Sequence, residues 1–196
     1  SSDLHTLPEN IIAYKTYLIF KDAVHMFLKE NGFLEIDLPL LSPQLIPESY
    51  LEIFKTEFSY NNQRESLFLT PSPELFLKRL LTRGIGDCYS IGKSFRNSDP
   101  PSPLHSFEFT MLELYKMRAT YMDIADLVLK MLQYVNKRVN KKDGIHMKYK
   151  GIDISLKKWE KISIAQAFKE YAGIKEYELF DHNALRCAAE KKGYTT

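Results

Sequence analysis

One stretch constrains this chain more than any other, Cys88 to Lys116, which contains YSIGKSFRNSDPPSPLHSFEFTMLELY. It reads as two strands joined by a loop. The first strand runs from about Cys88 to Phe95. The loop, Asn97 to Ser106, holds three prolines and a histidine and cannot continue a ladder. The second strand, about Phe107 to Lys116, alternates. Glu108, Thr110, Leu112 and Leu114 share one face, and Phe107, Phe109, Met111, Glu113 and Tyr115 share the other. A carboxylate among aromatics on an apolar face is costly, so Glu113 is expected to have a cationic partner.

The residue types suggest a chemistry. Arg96 stands at the end of the first strand, and its planar fork suits a fixed phosphate contact. His105 closes the loop, Phe109 offers a stacking face, and Glu113 with Tyr115 could receive a small cation. These residues fit a cradle for a polyphosphate beside an ammonium group. A plain hairpin with a basic residue at its turn and a salt-bridged Glu fits the same spacing.

Composition sets the frame. A chain of 196 residues with 44% apolar and 27% charged content is ordinary for a globular protein. Such a length buries roughly 70% of its unfolded surface. The net charge of +2 demands no large nucleic-acid footprint. Two cysteines, Cys88 and Cys187, suggest a reducing compartment. No apolar run approaches the ~18 residues of a membrane span, and the polar start is unlike a signal peptide. The expectation is a soluble, cytoplasmic protein with no membrane partner.

Along the chain, Leu7 to Asn31 reads as a helix with Ile12, Ile19, Ala23, Met26 and Phe27 on one face. Gly32 stops it, and a short strand, Phe33 to Asp37, leads to Leu38-Pro39. Strands follow at Leu51–Tyr60 and Ser66–Thr70, with Asn61-Asn62-Gln63 as their turn. Ser72 is the expected N-cap of a helix with Pro73 at its first position and Glu74 in its first turn. The clearest helix is Thr120 to Asn140, with Ile124, Leu127, Val128, Met131, Leu132, Val135 and Val139 on one stripe. His146 to Leu156 reads as a hairpin about Lys150-Gly151. Short helices are expected at Ser163–Tyr171 and Asp181–Lys192. His182 and Cys187 lack companions at metal-ligand spacing, so no metal site is expected in the chain.

The segment FRN followed by HSFEFTMLELY closely resembles motif 2 of the class II aminoacyl-tRNA synthetases, in the lysine, aspartate and asparagine subgroup. GFLEIDLPLL, within residues 10–40, resembles motif 1, and SPELFLKRL resembles the segment of the same family that receives the amino acid. The resemblance implies an α/β (strictly α+β) fold, an antiparallel sheet flanked by helices, incomplete at its C-terminus. All of residues 1–196 would form the N-terminal part of one catalytic domain, with motif 2 at about 88–116. It also implies roles. Arg96 would hold the ATP α-phosphate and act as the catalytic clamp, with His105 near the γ-phosphate. Glu108 would reach the adenine and Phe109 would stack on it. Ser98 stands where the family has Glu, and Asp99 beside it is expected to take that role; Ser106-Phe107 replaces Asn-Pro. Glu113 and Tyr115 would receive the side-chain ammonium of lysine. Glu74, beside Ser72, would receive the α-ammonium. Two carboxylates suit a diamino acid, whereas an aspartate enzyme would need a cation at Glu113. Residues 10–40 would form a homodimer interface, with Pro39 near the partner's active site.

Two expectations concern what is absent. The family's motif 3, a Gly-rich strand with a second Arg, has no counterpart among the eight glycines, and ligands for Mg2+ are expected mostly beyond Thr196. Motif 1 begins near residue 10, and Ile46 to Glu52 looks more like the elongation factor P lysine ligase than the synthetase. The expected function is therefore ATP-dependent activation of a lysine-like amino acid and its transfer to a lysine of elongation factor P. A lysyl-tRNA synthetase fragment that charges tRNA, a non-catalytic dimerisation or amino-acid-binding module, and a plain structural domain are the alternatives.

Overall fold

The computed structural model describes residues 10–44, 51–97, 102, 105–141 and 143–194. The expected roles of Ser98 and Asp99, and most of the Ile46–Glu52 cue, fall outside them. The chain forms two compact units, Ser1–Leu156 and Lys157–Thr196.

The first unit opens with α1 (Ile11–Glu30), capped by Asn10, whose Oδ1 accepts the Ala13 N–H at 2.9 Å. Gly32, at φ +83°, ends it. The Phe33 N–H returns to the Leu28 carbonyl, which closes a left-handed stop of the expected kind. β1 (Leu34–Glu35) then runs parallel to β5 (Cys88–Phe95), and β5 pairs antiparallel with β6 (Glu108–Tyr115) in the sheet order β1-β5-β6. A second sheet joins β2 (Leu41–Ser42), β4 (Gln63–Leu69) and β3 (Lys55–Tyr60). The β3–β4 turn is tighter than expected. Asn61 and Asn62, at φ +46° and +63°, form it alone, and Gln63 begins the return strand. α2 (Glu74–Leu81) lies between β4 and β5 in sequence.

The core lies on one face of β5–β6. Ala23, Val24, Phe27 and Leu28 of α1, Phe33, Tyr89 of β5, and Leu127, Met131 and Val135 of α3 (Tyr121–Asn140) form a single buried cluster. Leu112 and Leu114 of β6 pack against it. α3 carries a capping box, with Thr120 and Asp123 satisfying each other's backbone. Only the second half of α1 is buried: Ile12 and Ile19, expected on its inner face, are 79% and 50% exposed. They lie N-terminal to the stretch that α3 covers.

The unit closes with the hairpin β7 (His146–Tyr149) and β8 (Ile152–Ser155), turned by Lys150 and Gly151 as expected, both at positive φ. The second unit contains α4 (Ile164–Ala167), which continues as a π-helical turn through Ala172, then α5 (Glu176–Leu179) and α6 (His182–Glu190). Ser163 and Asp181 cap α4 and α6 as expected. Among the described residues no helix is long and apolar enough to cross a membrane.

One polar knot ties α1 to both strands. Tyr89, fully buried, donates to Glu35 Oε2 at 3.2 Å and lies 3.1 Å from His25 Nδ1. Lys29 Nζ is 2.8 Å and His25 3.2 Å from the same carboxylate. The hydrogen bond from Lys29, helped by the charges of His25 and Lys29, holds Glu35 below its ordinary 4.5 against the opposing effect of burial. A lowered carboxylate contributes stability that is present above pH 4.5 and is lost as pH falls through the folded value. Urea unfolding at pH 6 and pH 3.5 should therefore show a larger loss of stability for the wild type than for Glu35→Gln. Equal losses would remove this knot from the acid response.

Candidate functional site

The opposite face of β5–β6 carries the chemistry. Strand register sets Cys88 against Tyr115, Ser90 against Glu113, Gly92 against Met111 and Ser94 against Phe109. The β5 side is a run of small residues, and the β6 side is large. A Cβ built on Gly92 would meet no atom within 4 Å, so the sheet surface is open there. The result is a trough floored by β5 and walled by β6. The C-x-S-x-G-x-S alternation of β5 is its sequence signal, which the motif reading passed over.

Glu113 stands at one end of the trough, half-buried. Ser72 Oγ donates to its Oε2 at 2.9 Å, and Tyr115 OH donates to its Oε1 at 2.7 Å. The expected cationic partner is not found: among the described residues no Lys, Arg or His pairs with Glu113. Two neutral hydroxyls replace it, because Ser72 reaches the carboxylate from the start of α2 and Tyr115 lies two residues along the same strand face. Hydroxyl donors satisfy lone pairs but leave the negative charge uncompensated.

Ser72 also orders the neighbouring carboxylate. α2 begins at Glu74, one residue later than expected, with Pro73 rather than Ser72 at the cap position. The Ser72 hydroxyl still accepts the Glu74 N–H at 3.2 Å while donating to Glu113. One buried serine thus joins the two expected amino-acid receptors. Glu74 accepts a hydrogen bond from Lys78, one helical turn on. That bond first, and the charges of Glu74 and then Glu113, push the Lys78 ammonium above its ordinary value. Burial first, then the hydrogen bond and charge of Glu113 and the charge of Glu74, push Tyr115 above its ordinary value. Both carboxylates therefore act on one space. Lys78 had no role in the sequence reading, although its i,i+4 spacing from Glu74 was legible there.

Arg96 stands just past the end of β5, beside Phe109 of β6. The guanidinium carbon lies 5.4 Å from the Phe109 ring centroid. Its Nε is buried and has no hydrogen-bond partner among the described residues. Ser94, also buried, has an unpartnered hydroxyl there as well. Orphaned donors of this kind are uncommon in folded proteins.

The remaining expected residues are placed elsewhere. Glu108 belongs to the core-side face, where it pairs with Lys93 at 2.8 Å; its neighbour on that face, Thr110, accepts from Tyr17 OH at 3.0 Å. The structure therefore does not bring Glu108 to Arg96 and Phe109. His105 is exposed, and its Nδ1 lies 2.9 Å from Ser102 Oγ. Pro39 lines a cleft of about 500 Å³ that shares Ser90, Gly92 and Ser94 of the trough floor. Among the described residues no three His, Cys, Asp or Glu side chains converge to hold a metal ion.

The chain resembles known proteins over nearly all its length. Residues 9–193 match the family model of tRNA synthetases class II (D, K and N). The lysine–tRNA ligase of Clostridium perfringens (strain 13 / Type A) is 34% identical over 171 residues, covering 87% of this chain and 33% of the relative. The lysine–tRNA ligase of Carboxydothermus hydrogenoformans is 34% identical over 153 residues, 78% of this chain and 30% of the relative. That of Fusobacterium nucleatum is 32% identical over 152 residues, with the same 78% and 30% coverage. The chain spans about a third of the length of the curated relatives it matches. With motif 1 and motif 2 residues set on one sheet, and the match running from residue 9 to 193, the chain belongs to the class II tRNA synthetases of the D, K and N group.

Proposed function

We propose that the protein activates a lysine-like amino acid with ATP and passes it to an acceptor. The observation that carries this reading is Glu113. A carboxylate held by two neutral donors, beside a second carboxylate at the start of α2, is matched to a ligand with two ammonium groups. The side-chain ammonium goes to Glu113, framed by Tyr115 and Ser72. The α-ammonium goes to Glu74.

On this reading the ligand's carboxylate lies in the trough that leads towards Arg96. ATP fits there on the chain's own residues. The half-buried Arg96, with an unused buried Nε, is suited to a phosphate oxygen, and the Phe109 ring to a base. The guanidinium now lies over that ring, so seating a base on the same face requires Arg96 to swing onto the phosphate. Mg2+ would accompany the triphosphate and supply charge neutralisation; the described residues of this chain provide no cluster for it. The chain's own contribution is positional. Glu113 and Glu74 fix both ends of the amino acid, and Arg96 favours the charge that builds on the α-phosphate as the ligand carboxylate attacks. One such preorganised donor is worth about 3–4 kcal/mol of transition-state stabilisation.

Two acceptors remain distinct. The similarity to lysine–tRNA ligases favours tRNA. A lysine of elongation factor P is favoured only by the Ile46–Glu52 cue. The exposed apolar half of α1, with Ile11, Ile12, Leu18, Ile19 and Phe20 all at least 44% exposed, supports a homodimer through residues 10–40.

Glu113→Gln should weaken L-lysine binding at least tenfold by titration calorimetry, because a neutral amide cannot balance an ammonium in a half-buried site. Unchanged affinity would overturn the receptor assignment. Lysine-dependent ATP–pyrophosphate exchange is the test of activation, run on this chain and on the product of its uninterrupted reading frame. Exchange by at least the longer protein is expected. Exchange by neither, with lysine still bound, would leave a sensor or scaffold. Transfer of labelled lysine to tRNA or to elongation factor P then decides the acceptor.

A further inference from the structure

The two carboxylates of the site are not equivalent. Within hydrogen-bond reach among the described residues Glu113 has only hydroxyl partners, and its charge ranks behind that of Glu74 in its effect on Lys78. Glu74 has a cation of its own. Lys78, four residues along α2, donates to Glu74 Oε1. The Glu-then-Lys order at i,i+4 is the favourable orientation on a helix. Both side chains are about half exposed, 43% for Glu74 and 54% for Lys78, so the lysine can swing away into solvent.

Taking the two-ammonium reading of the site as its basis, we propose that Lys78 is a built-in competitor for the α-ammonium subsite. It neutralises Glu74 when that subsite is empty, and an arriving α-ammonium must displace or share it. Glu113 has no ion-paired lysine among the described residues, so competition there is weaker. The side-chain ammonium is therefore the anchor of recognition, and the α-ammonium is bound weakly against an internal rival. The site then discriminates by its deep end. A monoamino acid lacking a side-chain ammonium meets only the subsite that Lys78 already occupies. The rivalry is soft, because an exposed helical ion pair is worth little and is screened by salt.

The test uses Lys78→Met, since methionine keeps the helix propensity of lysine. Binding of L-lysine and of 6-aminohexanoate, which lacks only the α-ammonium, is measured by calorimetry on wild type and variant. The expected result is lysine binding about two- to fivefold tighter in the variant, the range of an exposed ion pair, with 6-aminohexanoate unchanged. Lys78→Arg, which restores a cation, should return lysine to the wild-type value. The gain should shrink in 1 M salt. Lysine binding that is unchanged or weaker in Lys78→Met overturns the proposal. So does an equal gain for both ligands, which would mean a diffuse charge effect with no rivalry at Glu74. If Lys78→Met fails to fold, Lys78→Gln carries the same comparison. Wild-type protein that binds neither ligand, or Glu113→Gln that binds lysine normally, instead defeats the underlying two-ammonium reading, and this proposal falls with it.

Discussion

The eight-residue pairing of β5 with β6 is the constraint on which the rest depends. Its register divides every side chain of the two strands between two environments. Tyr89, Ile91, Leu112 and Leu114 are packed by α1 and α3 into the core. Glu113, Tyr115, Phe109 and the small residues of β5 are left on the other face. A slip of one residue would exchange the two sets, placing Glu113 in the hydrophobic cluster and Leu112 in the trough. The core burial that stabilises the fold therefore also fixes the site. The same pleat explains why Glu108 sits with Lys93 and not with its sequence neighbour Phe109.

Glu113 shows how the site resolves an electrostatic conflict. Burying a carboxylate is unfavourable, and the cheapest structural remedy is a salt bridge or protonation. Here the solution is partial. Ser72 and Tyr115 hold both oxygens, and the half-open setting leaves solvent to screen the remaining charge. Such an arrangement is stable enough to preorganise but gains strongly from an external cation. A tyrosine hydroxyl is protonated at physiological pH, and burial first, then the bond and charge of Glu113, push Tyr115 further up, so the donor to Glu113 stays available. Ser72 contributes twice, since one hydroxyl both orders the first turn of α2 and orients Glu113.

Much of this was legible in the sequence, for identifiable reasons. α3 announced itself because apolar stripe and length agreed. Gly32, Lys150-Gly151, Ser163 and Asp181 were readable because a turn or cap depends on local chemistry alone. The alternation of β6 was enough to set Glu113 and Leu112 on opposite faces. What the sequence hid was tertiary. Half the apolar stripe of α1 is uncovered, because periodicity says which face is apolar but not what covers it. The helix starts at Glu74, one residue later than expected, and the Ser72 hydroxyl both accepts from the Glu74 N–H and donates to a residue 41 positions away, a tertiary partner no local pattern shows. The cation expected beside Glu113 was a sound electrostatic demand met by the wrong chemistry. Motif resemblance assigned Glu108 to the nucleotide, whereas the strand's own parity sets it on the face opposite Phe109, paired with Lys93.

The asymmetry between Glu74 and Glu113 follows from where each stands. A carboxylate in the first turn of a helix has residues one turn on within reach, and an i+4 lysine pairs with it through local geometry. A carboxylate in mid-strand depends on what stands across the ladder, beside it on its face and above it, here Ser90, Tyr115 and Ser72, none of them a cation. The helix therefore supplies Glu74 with a local counter-ion, while the small uncharged residues of β5 opposite Glu113 supply none, unlike Lys93 for Glu108. A binding site assembled from one helix start and one strand centre will have one masked and one bare charge, and the bare charge sets which ligand is held.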